Sequence, residues 1–294
     1  MFENLIGNEK IKQDLKTVLQ NNKVSHSYMF IGDKGIGKYQ FAKEFAKGIL
    51  CLNEEKPCGS CKSCIEFNNN NNPDYKYIGL EDESSIKIEA IRKMQEKVQE
   101  LPIVSSKKVY IIDDSEYMTK EAQNCLLKTI EEPPEFVTVI LITSNENKIL
   151  NTIKSRCLKL YFSNINNNEL KQFLMDKYKI NNISENMLRA YNGSIGKALK
   201  IHENEDLYKQ IEVVFNNIEN YNIITAIKNL EVLYKAKENI NELLDYINVL
   251  LIYKAKDNVK YVDYIKEVEN TKRKLNSNCN YDMSIDSLLF KIWQ

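Results

Sequence analysis

The stretch Gly32-Asp33-Lys34-Gly35-Ile36-Gly37-Lys38-Tyr39 restricts this chain more than any other. An apolar run, Tyr28-Met29-Phe30-Ile31, leads into it, and Phe41, Ala42, Phe45, Ala46 and Ile49 leave it at helical spacing. Strand, glycine loop and helix in that order is the setting a phosphate-binding loop requires. The glycines let the backbone curl until several N–H groups face one anion. The helix adds the positive end of its dipole, and Lys38 adds a full charge. Gly32, Gly35, Gly37 and Lys38 are therefore the candidate phosphate ligands. The last position departs from the pattern. A working loop ends in Lys-Ser or Lys-Thr, because that hydroxyl holds the Mg²⁺ that bridges the phosphates. Tyr39 stands there instead, and a phenol on a long rigid ring cannot take the place of a small hydroxyl. The alternative is a glycine-rich turn with no ligand.

Strands and helices alternate around this loop. Residues 75–80, 108–113, 138–143 and 159–162 read as further strands. Asn8 is placed to cap a helix with Ile11, Leu15, Val18 and Leu19 on one face, and Ser84 and Ser85 to cap one carrying Ile88, Ile91 and Val98. A helix over 119–130 is stopped by Pro133-Pro134. Apolar strands alternating with helices predict a parallel sheet covered on both faces. The strand 108–113 ends in Asp113-Asp114. Asp113 is where a carboxylate would hold Mg²⁺, directly or through water. Asp114 stands where a hydrolytic site carries Glu, and is one methylene shorter than the base that must reach a water. Two acids ending a strand are also common without any such role. Beyond about residue 164 the strands stop. Leu170, Phe173 and Leu174 open a helical stretch to about 204, and the rest is helical only, with Leu243, Leu244, Ile247, Leu250 and Leu251 on one face. The expected architecture is thus α/β plus all-α: a sheet domain over 1–163, a small helical domain over 164–205 and a helical bundle over 206–294.

Four of the seven cysteines, Cys51, Cys58, Cys61 and Cys64, fall within fourteen positions. Four thiolates close a tetrahedral Zn²⁺ site, and closure leaves no position for chemistry, so the metal expected here is structural. Free cysteines are the alternative; a redox Cys-x-x-Cys needs only two. The module spans about 51–72, ending in the run Asn68 to Asn72, which reads as a solvated loop. Cys125, Cys157 and Cys279 read as small core residues. His26 and His202 lack a constellation, with His26 placed beside the nucleotide pocket. Lys and Arg number 41, as do Asp and Glu, so no net charge drives binding to a polyanion. No apolar run reaches the length of a membrane span, and Met1-Phe2-Glu3-Asn4 is unlike a signal peptide. A cytoplasmic location is expected.

Four further segments carry a resemblance. They are Ser25-His26-Ser27-Tyr28 before the loop, Asn124-Cys125-Leu126-Leu127-Lys128-Thr129-Ile130-Glu131-Glu132-Pro133-Pro134 after the acidic strand, Thr143-Ser144-Asn145, and Ser155-Arg156-Cys157. In this order and spacing, over roughly residues 1–200, the chain resembles the AAA+ subunits of the bacterial DNA polymerase III clamp loader, and among them the δ′ type. Over the last ninety or so residues only the helical character agrees. The resemblance implies a RecA-like sheet domain, a helical lid and a C-terminal collar. It implies a five-subunit ring with γ/τ and δ subunits, acting on the sliding clamp and primed DNA, with ATP held between neighbours. It places Arg156 as an arginine finger acting on a neighbour's γ-phosphate, where a guanidinium neutralises charge spreading in the transition state. A local pair with a carboxylate is the alternative for Arg156. Thr143 or Ser144 falls at the polar sensor. The lid's sensor arginine falls on Gly196, beside Lys197, in Gly193-Ser194-Ile195-Gly196-Lys197.

Three functions compete. A motor of the γ/τ type needs the loop hydroxyl, the catalytic Glu and the lid Arg, where this chain has Tyr39, Asp114 and Gly196. Members of the τ type also carry long C-terminal extensions. A zinc-bearing repair module binding nucleic acid directly is opposed by the neutral charge and the closed cysteine set. The third function, favoured here, is a non-motor subunit with weak or no nucleotide binding, not an enzyme on its own.

Overall fold

The computed structural model describes residues 1–80, 83–277 and 279–293. Five strands, β1 (Ser27–Ile31), β2 (Tyr75–Ile78), β3 (Lys108–Ile112), β4 (Val137–Thr143) and β5 (Leu158–Tyr161), form one sheet in the order β2-β3-β4-β1-β5. All four pairings are parallel. Every residue of β1, β3 and β4 is buried, as expected for strands covered on both faces. Alternation along these strands divides the core in two. Tyr28, Phe30, Val109, Ile111, Ile140 and Ile142 pack on the face covered by α1 (Glu9–Gln20) and α2 (Lys38–Leu50). Met29, Ile31, Tyr110, Ile112, Val139 and Leu141 pack on the other.

That second face is covered largely by two of the next helices. After α3 (Lys62–Asn68) come α4 (Ile88–Val98), α5 (Lys120–Glu131) and α6 (Asn151–Lys154). Ile91 and Met94 of α4 and Ala122, Leu126 and Ile130 of α5 complete the layer. Thr119 caps α5 through its hydroxyl, which accepts the N–H of Ala122 at 3.2 Å. Two expected caps fail. Asn8 sits at the start of α1 with φ +55° and does not cap it; its side chain instead takes the N–H of Ser163 at 2.8 Å. Ser84 and Ser85 lie too early, because Ile86 is held extended against Met118 and the helix starts only at Ile88.

The described chain divides into two compact units, Met1–Phe173 with Gly193–Gly196, and Leu174–Asn192 with Lys197–Gln294. The boundaries run through α7 (Asn167–Tyr178) and the start of α9 (Ile195–Glu203), on either side of α8 (Glu185–Tyr191). The second unit continues with α10 (Glu205–Asn216), α11 (Ile223–Asn229), α12 (Glu231–Lys235), α13 (Ile240–Ala255), α14 (Lys260–Asn276) and α15 (Tyr281–Ile292). Ile240, Leu243, Leu244, Tyr246, Ile247, Leu250 and Leu251 are all buried. They cover more than the single face expected, because α13 packs among α8, α10 and α14. Cys279 is exposed, contrary to the core position expected, since it lies in the short link before α15. Among the described residues no helix is long and apolar enough to cross a membrane.

One loop near the cysteines is tied down with unusual completeness. Asp74, 2% exposed, accepts the backbone N–H groups of Ile103, Val104 and Ser105 at 2.7–2.8 Å. Asn72, the last residue of the asparagine run, is buried and not solvated. It donates to Ser63 and accepts the N–H of Asp74. Asp74→Ala is expected to leave three amides without an acceptor and to cost about 3 kcal/mol. A fall in the urea midpoint with an unchanged slope is the measurement. Asp74→Asn should lose less, since one oxygen acceptor remains.

Candidate nucleotide and metal sites

The glycine loop leaves the C-terminal end of β1 and delivers Lys38 as the first residue of α2. Gly35 and Gly37 take φ values of +79° and +95°, in the left-handed region that other residues avoid. Lys38 is buried, and its ammonium donates to the carbonyls of Gly32 and Asp33 at 2.6 and 2.7 Å. Burial lowers its pKa; Asp113, Glu116, Asp114 and Asp33 work in the opposite direction. Four carboxylates thus act on one ammonium. In a motor a divalent cation sits among such acids, and without it their field opposes a polyphosphate.

The loop is also held by its own chain. Gly196 donates its N–H to Gly35 O at 2.9 Å, and Ser194 donates its hydroxyl to Lys34 O at 3.0 Å. Gly196, where the resemblance places the lid arginine, therefore lies against the loop backbone. Asp33 accepts from Asn164 at 2.9 Å, and Lys34 pairs with Asp114 at 3.8 Å.

Around the metal position the side chains do not suit a cation. Asp113 ends β3; burial raises its pKa, and its Oδ1 accepts the N–H of Asp114 at 2.9 Å. Tyr39 meets Tyr77 edge to face, with centroids 5.3 Å apart, and its hydroxyl lies 3.5 Å from that of Tyr75. Burial, with Asp113 as the next cause, pushes the Tyr77 phenol up to about 12. Tyr39 thus stands at the position of the loop hydroxyl, with the Tyr77 ring packed against it. The residues present do not fit a Mg²⁺–nucleotide.

Sequence reasoning missed Tyr77 and Glu116. Glu116 is buried; its Oε1 accepts the N–H of Ser144 at 3.1 Å and also the Ser144 hydroxyl. Burial is the largest single influence and raises the Glu116 pKa, but the hydrogen bonds from Ser144 and Thr143 outweigh it and the net shift is downward. Thr143 accepts the N–H of Asn145 at 3.0 Å. Both sensor candidates are thus engaged within the chain. The signal for Glu116 was a third acid in Asp113-Asp114-Ser115-Glu116; that for Tyr77 was its alternation with Tyr75 on one strand.

Arg156 lies two residues before β5, at the end of the sheet opposite the loop. Since β5 runs parallel to β1, with Leu158 beside Tyr28, the two are separated by roughly 15–20 Å along the strands. An arginine side chain cannot span that distance, so Arg156 cannot serve its own loop. Arg156 Nη2 pairs with Glu131 at 3.0 Å, and Nη1 donates to Thr152 O at 3.0 Å. His26 lies at the same end, exposed, and so is not beside the nucleotide pocket as expected. His202 lies 3.4 Å from Glu205.

The four cysteine sulfurs lie within 4.8 Å of one another. A tetrahedral ion with metal–sulfur distances of about 2.3 Å needs sulfurs about 3.8 Å apart, and Cys51 and Cys61 stand at 4.0 Å. Cys51 follows α2, Gly59 turns the chain with φ +74°, and Cys61 caps α3 by accepting the N–H of Cys64 at 3.5 Å. Backbone N–H groups of Cys58 and Cys61 point at the sulfurs of Cys51 and Cys58 at 3.4 and 3.3 Å. Such bonds favour thiolates: those from Cys61 and Ser60 bring Cys58 down to about 6, while at Cys51 and Cys64 burial outweighs them and pushes the thiols up. The donor set fits a metal such as zinc.

A parallel sheet in this order, with a glycine loop after β1 and an acid ending β3, defines a RecA-like AAA+ domain. The fold matches a DNA polymerase III gamma-subunit-related protein from Thermotoga maritima with a TM-score of 0.53 and 19% identity, over 95% of this chain and 98% of that one. The family model described as DNA polymerase III, delta subunit, matches residues 7–166. The chain belongs to this family. It is 31% identical over 201 residues to subunit delta' of Bacillus subtilis, covering 67% of this chain and 60% of that protein. It is 32% identical to subunit tau/gamma of Haemophilus influenzae, covering 74% of this chain, and 39% identical to subunit tau of B. subtilis, covering 56%. It spans only 33% and 29% of the length of those two relatives.

Proposed function

We propose that this chain is a non-motor, δ′-type subunit of the DNA polymerase III clamp loader. It would sit with γ/τ and δ subunits in a cytoplasmic five-membered ring that loads the sliding clamp onto primed DNA. It would present Arg156 to a neighbour's ATP and carry one structural Zn²⁺ on Cys51, Cys58, Cys61 and Cys64. Its domains would follow the sheet, lid and collar division at 1–163, 164–205 and 206–294. The observation that carries the non-motor reading is the packing of Tyr39 on Tyr77 beside Asp113, which leaves the metal half of the loop unfit for Mg²⁺. The opposite placement of Arg156 and the loop supports action in trans, because a guanidinium at that end can reach only another chain's phosphates.

The reading is tested with the full chain alone. ATP turnover is expected at the level of a buffer blank, and Tyr39→Thr is expected not to create it, because Asp114 and Gly196 remain unsuited. Steady turnover that vanishes on Lys38→Ala would instead establish the alternative, an active γ/τ-type motor. That alternative draws on the intact glycines and Lys38 of the loop and on the tau relatives.

A further inference from the structure

Tyr39 alone does not explain why the metal half of the loop is closed. Tyr77 stands on β2 in register with Ile111 of β3, one pair before the end of the ladder, and Asp113 donates its N–H to Ile78 O at 2.9 Å. The Tyr77 ring folds back over Gly79. A Cβ built on Gly79 would lie 2.8 Å from Tyr77 Cζ and 2.9 Å from Cε1, and closer still to the hydroxyl. Gly79 has no left-handed φ, so the backbone does not require glycine there; the ring does. From this seat Tyr77 meets Tyr39 at an interplanar angle of 77°. Behind them Tyr75 packs on Phe67 at 4.7 Å and fixes the pair from the α3 side.

We infer that Tyr77, seated on Gly79, is a second lock on the metal position, so that the residue at 77 as much as the residue at 39 decides whether this loop accepts a metal–nucleotide. The inference rests on the non-motor reading in taking the site as closed to Mg²⁺. A small hydroxyl at 39 restores a ligand, but the Tyr77 ring still stands beside Asp113, the carboxylate such a cation would need. Only with both rings gone do the loop hydroxyl and Asp113 face a common space.

The experiment is calorimetric titration of the full chain with ADP, with and without Mg²⁺. Wild type and Tyr39→Thr are expected to show the same weak or undetectable binding whether or not Mg²⁺ is present. The double variant Tyr39→Thr/Tyr77→Ser is expected to gain about tenfold or more in affinity on adding Mg²⁺, as a bridging cation confers. Tyr39→Thr/Gly79→Ala, which displaces the Tyr77 ring without removing it, should gain in the same direction and serves if the first double variant fails to fold. Full Mg²⁺ dependence in Tyr39→Thr alone would overturn the inference, as would its absence from a folded double variant. Neither result bears on turnover by the wild-type chain, which judges the non-motor reading separately.

Discussion

Chain purified without added metal is expected to carry one zinc ion, and stripping it should unfold the segment from about residue 51 to 75 while the sheet survives. The segment has little apolar core of its own: Cys51, Cys64 and Phe67 are buried, while Leu52 and Ile65 are about half exposed. Metal binding by four thiolates is worth about 10–16 kcal/mol in zinc-finger peptides near neutral pH. Losing a contribution of that size would leave a segment with so little core without enough to offset the conformational entropy of its ordering. Cys58→Ser or Cys61→Ser should therefore release zinc and bring fast amide exchange to residues 51–75. The ties of Asn72 and Asp74 should hold the junction with β2 longest. Metal analysis near zero, with all four thiols reacting freely in the native chain, would remove the metal from the account.

Arg156→Ala is expected to leave the chain folded and a reconstituted complex assembled, yet to slow ATP hydrolysis at the one site it serves by about 10³ to 10⁵. In a ring of the proposed kind only one site should depend on Arg156, so the loss over the whole complex is expected to be smaller. The pair with Glu131 does not argue against this. Both side chains are roughly two-fifths exposed, and an ion pair of that kind is worth about 0–1 kcal/mol. A γ-phosphate carrying several charges outbids a single surface carboxylate. The two roles separate on two readouts: a purely local pair predicts a small change in melting temperature and unchanged clamp loading, whereas a finger predicts an unchanged melting temperature and impaired loading. Arg156→Lys should rescue poorly, since a point charge does not reproduce the planar fork. Wild-type ATPase and loading with assembly confirmed would make Arg156 a structural residue only.

The sheet was legible because its signal is local. Buried strands such as β3 and β4 are mostly apolar, with Lys108, Thr138 and Thr143 as the exceptions, and Pro133-Pro134 stands shortly before β4. The cysteine cluster was legible for a similar reason, since ligand spacing is written into adjacent residues. Helix starts were less so: Ser84 and Ser85 are sound caps by residue type, but the pairing of Ile86 with Met118 comes from a segment more than thirty positions away. The same holds for Asn72, which ends a run of asparagines that reads as solvated and is fixed by Ser63, and for Asp74, whose partners lie about thirty positions away. Tyr77 and Glu116 were overlooked because their contacts, with Tyr39 at the start of α2 and with Ser144 just after β4, come from segments distant in the sequence.

The contact between Gly35 and Gly196 bears on the history of such a site. A Cβ on Gly35 would meet Ser194 Oγ at 2.5 Å and the Gly196 α-carbon at 3.2 Å, and a Cβ on Gly196 would lie 3.0 Å from the Gly35 α-carbon. Any larger residue at 196, an arginine included, needs the loop backbone to give by a few tenths of an ångström. On the proposed reading, an arginine there would have no use until the loop holds a metal–nucleotide, which would call for changes at 39 and 77 that bring no benefit while the lid lacks its charge. Each reversal is thus penalised until the others have been made. If the chain is the non-motor subunit proposed, these positions hold one another in place, and an ATP site would be recovered only by changing them together.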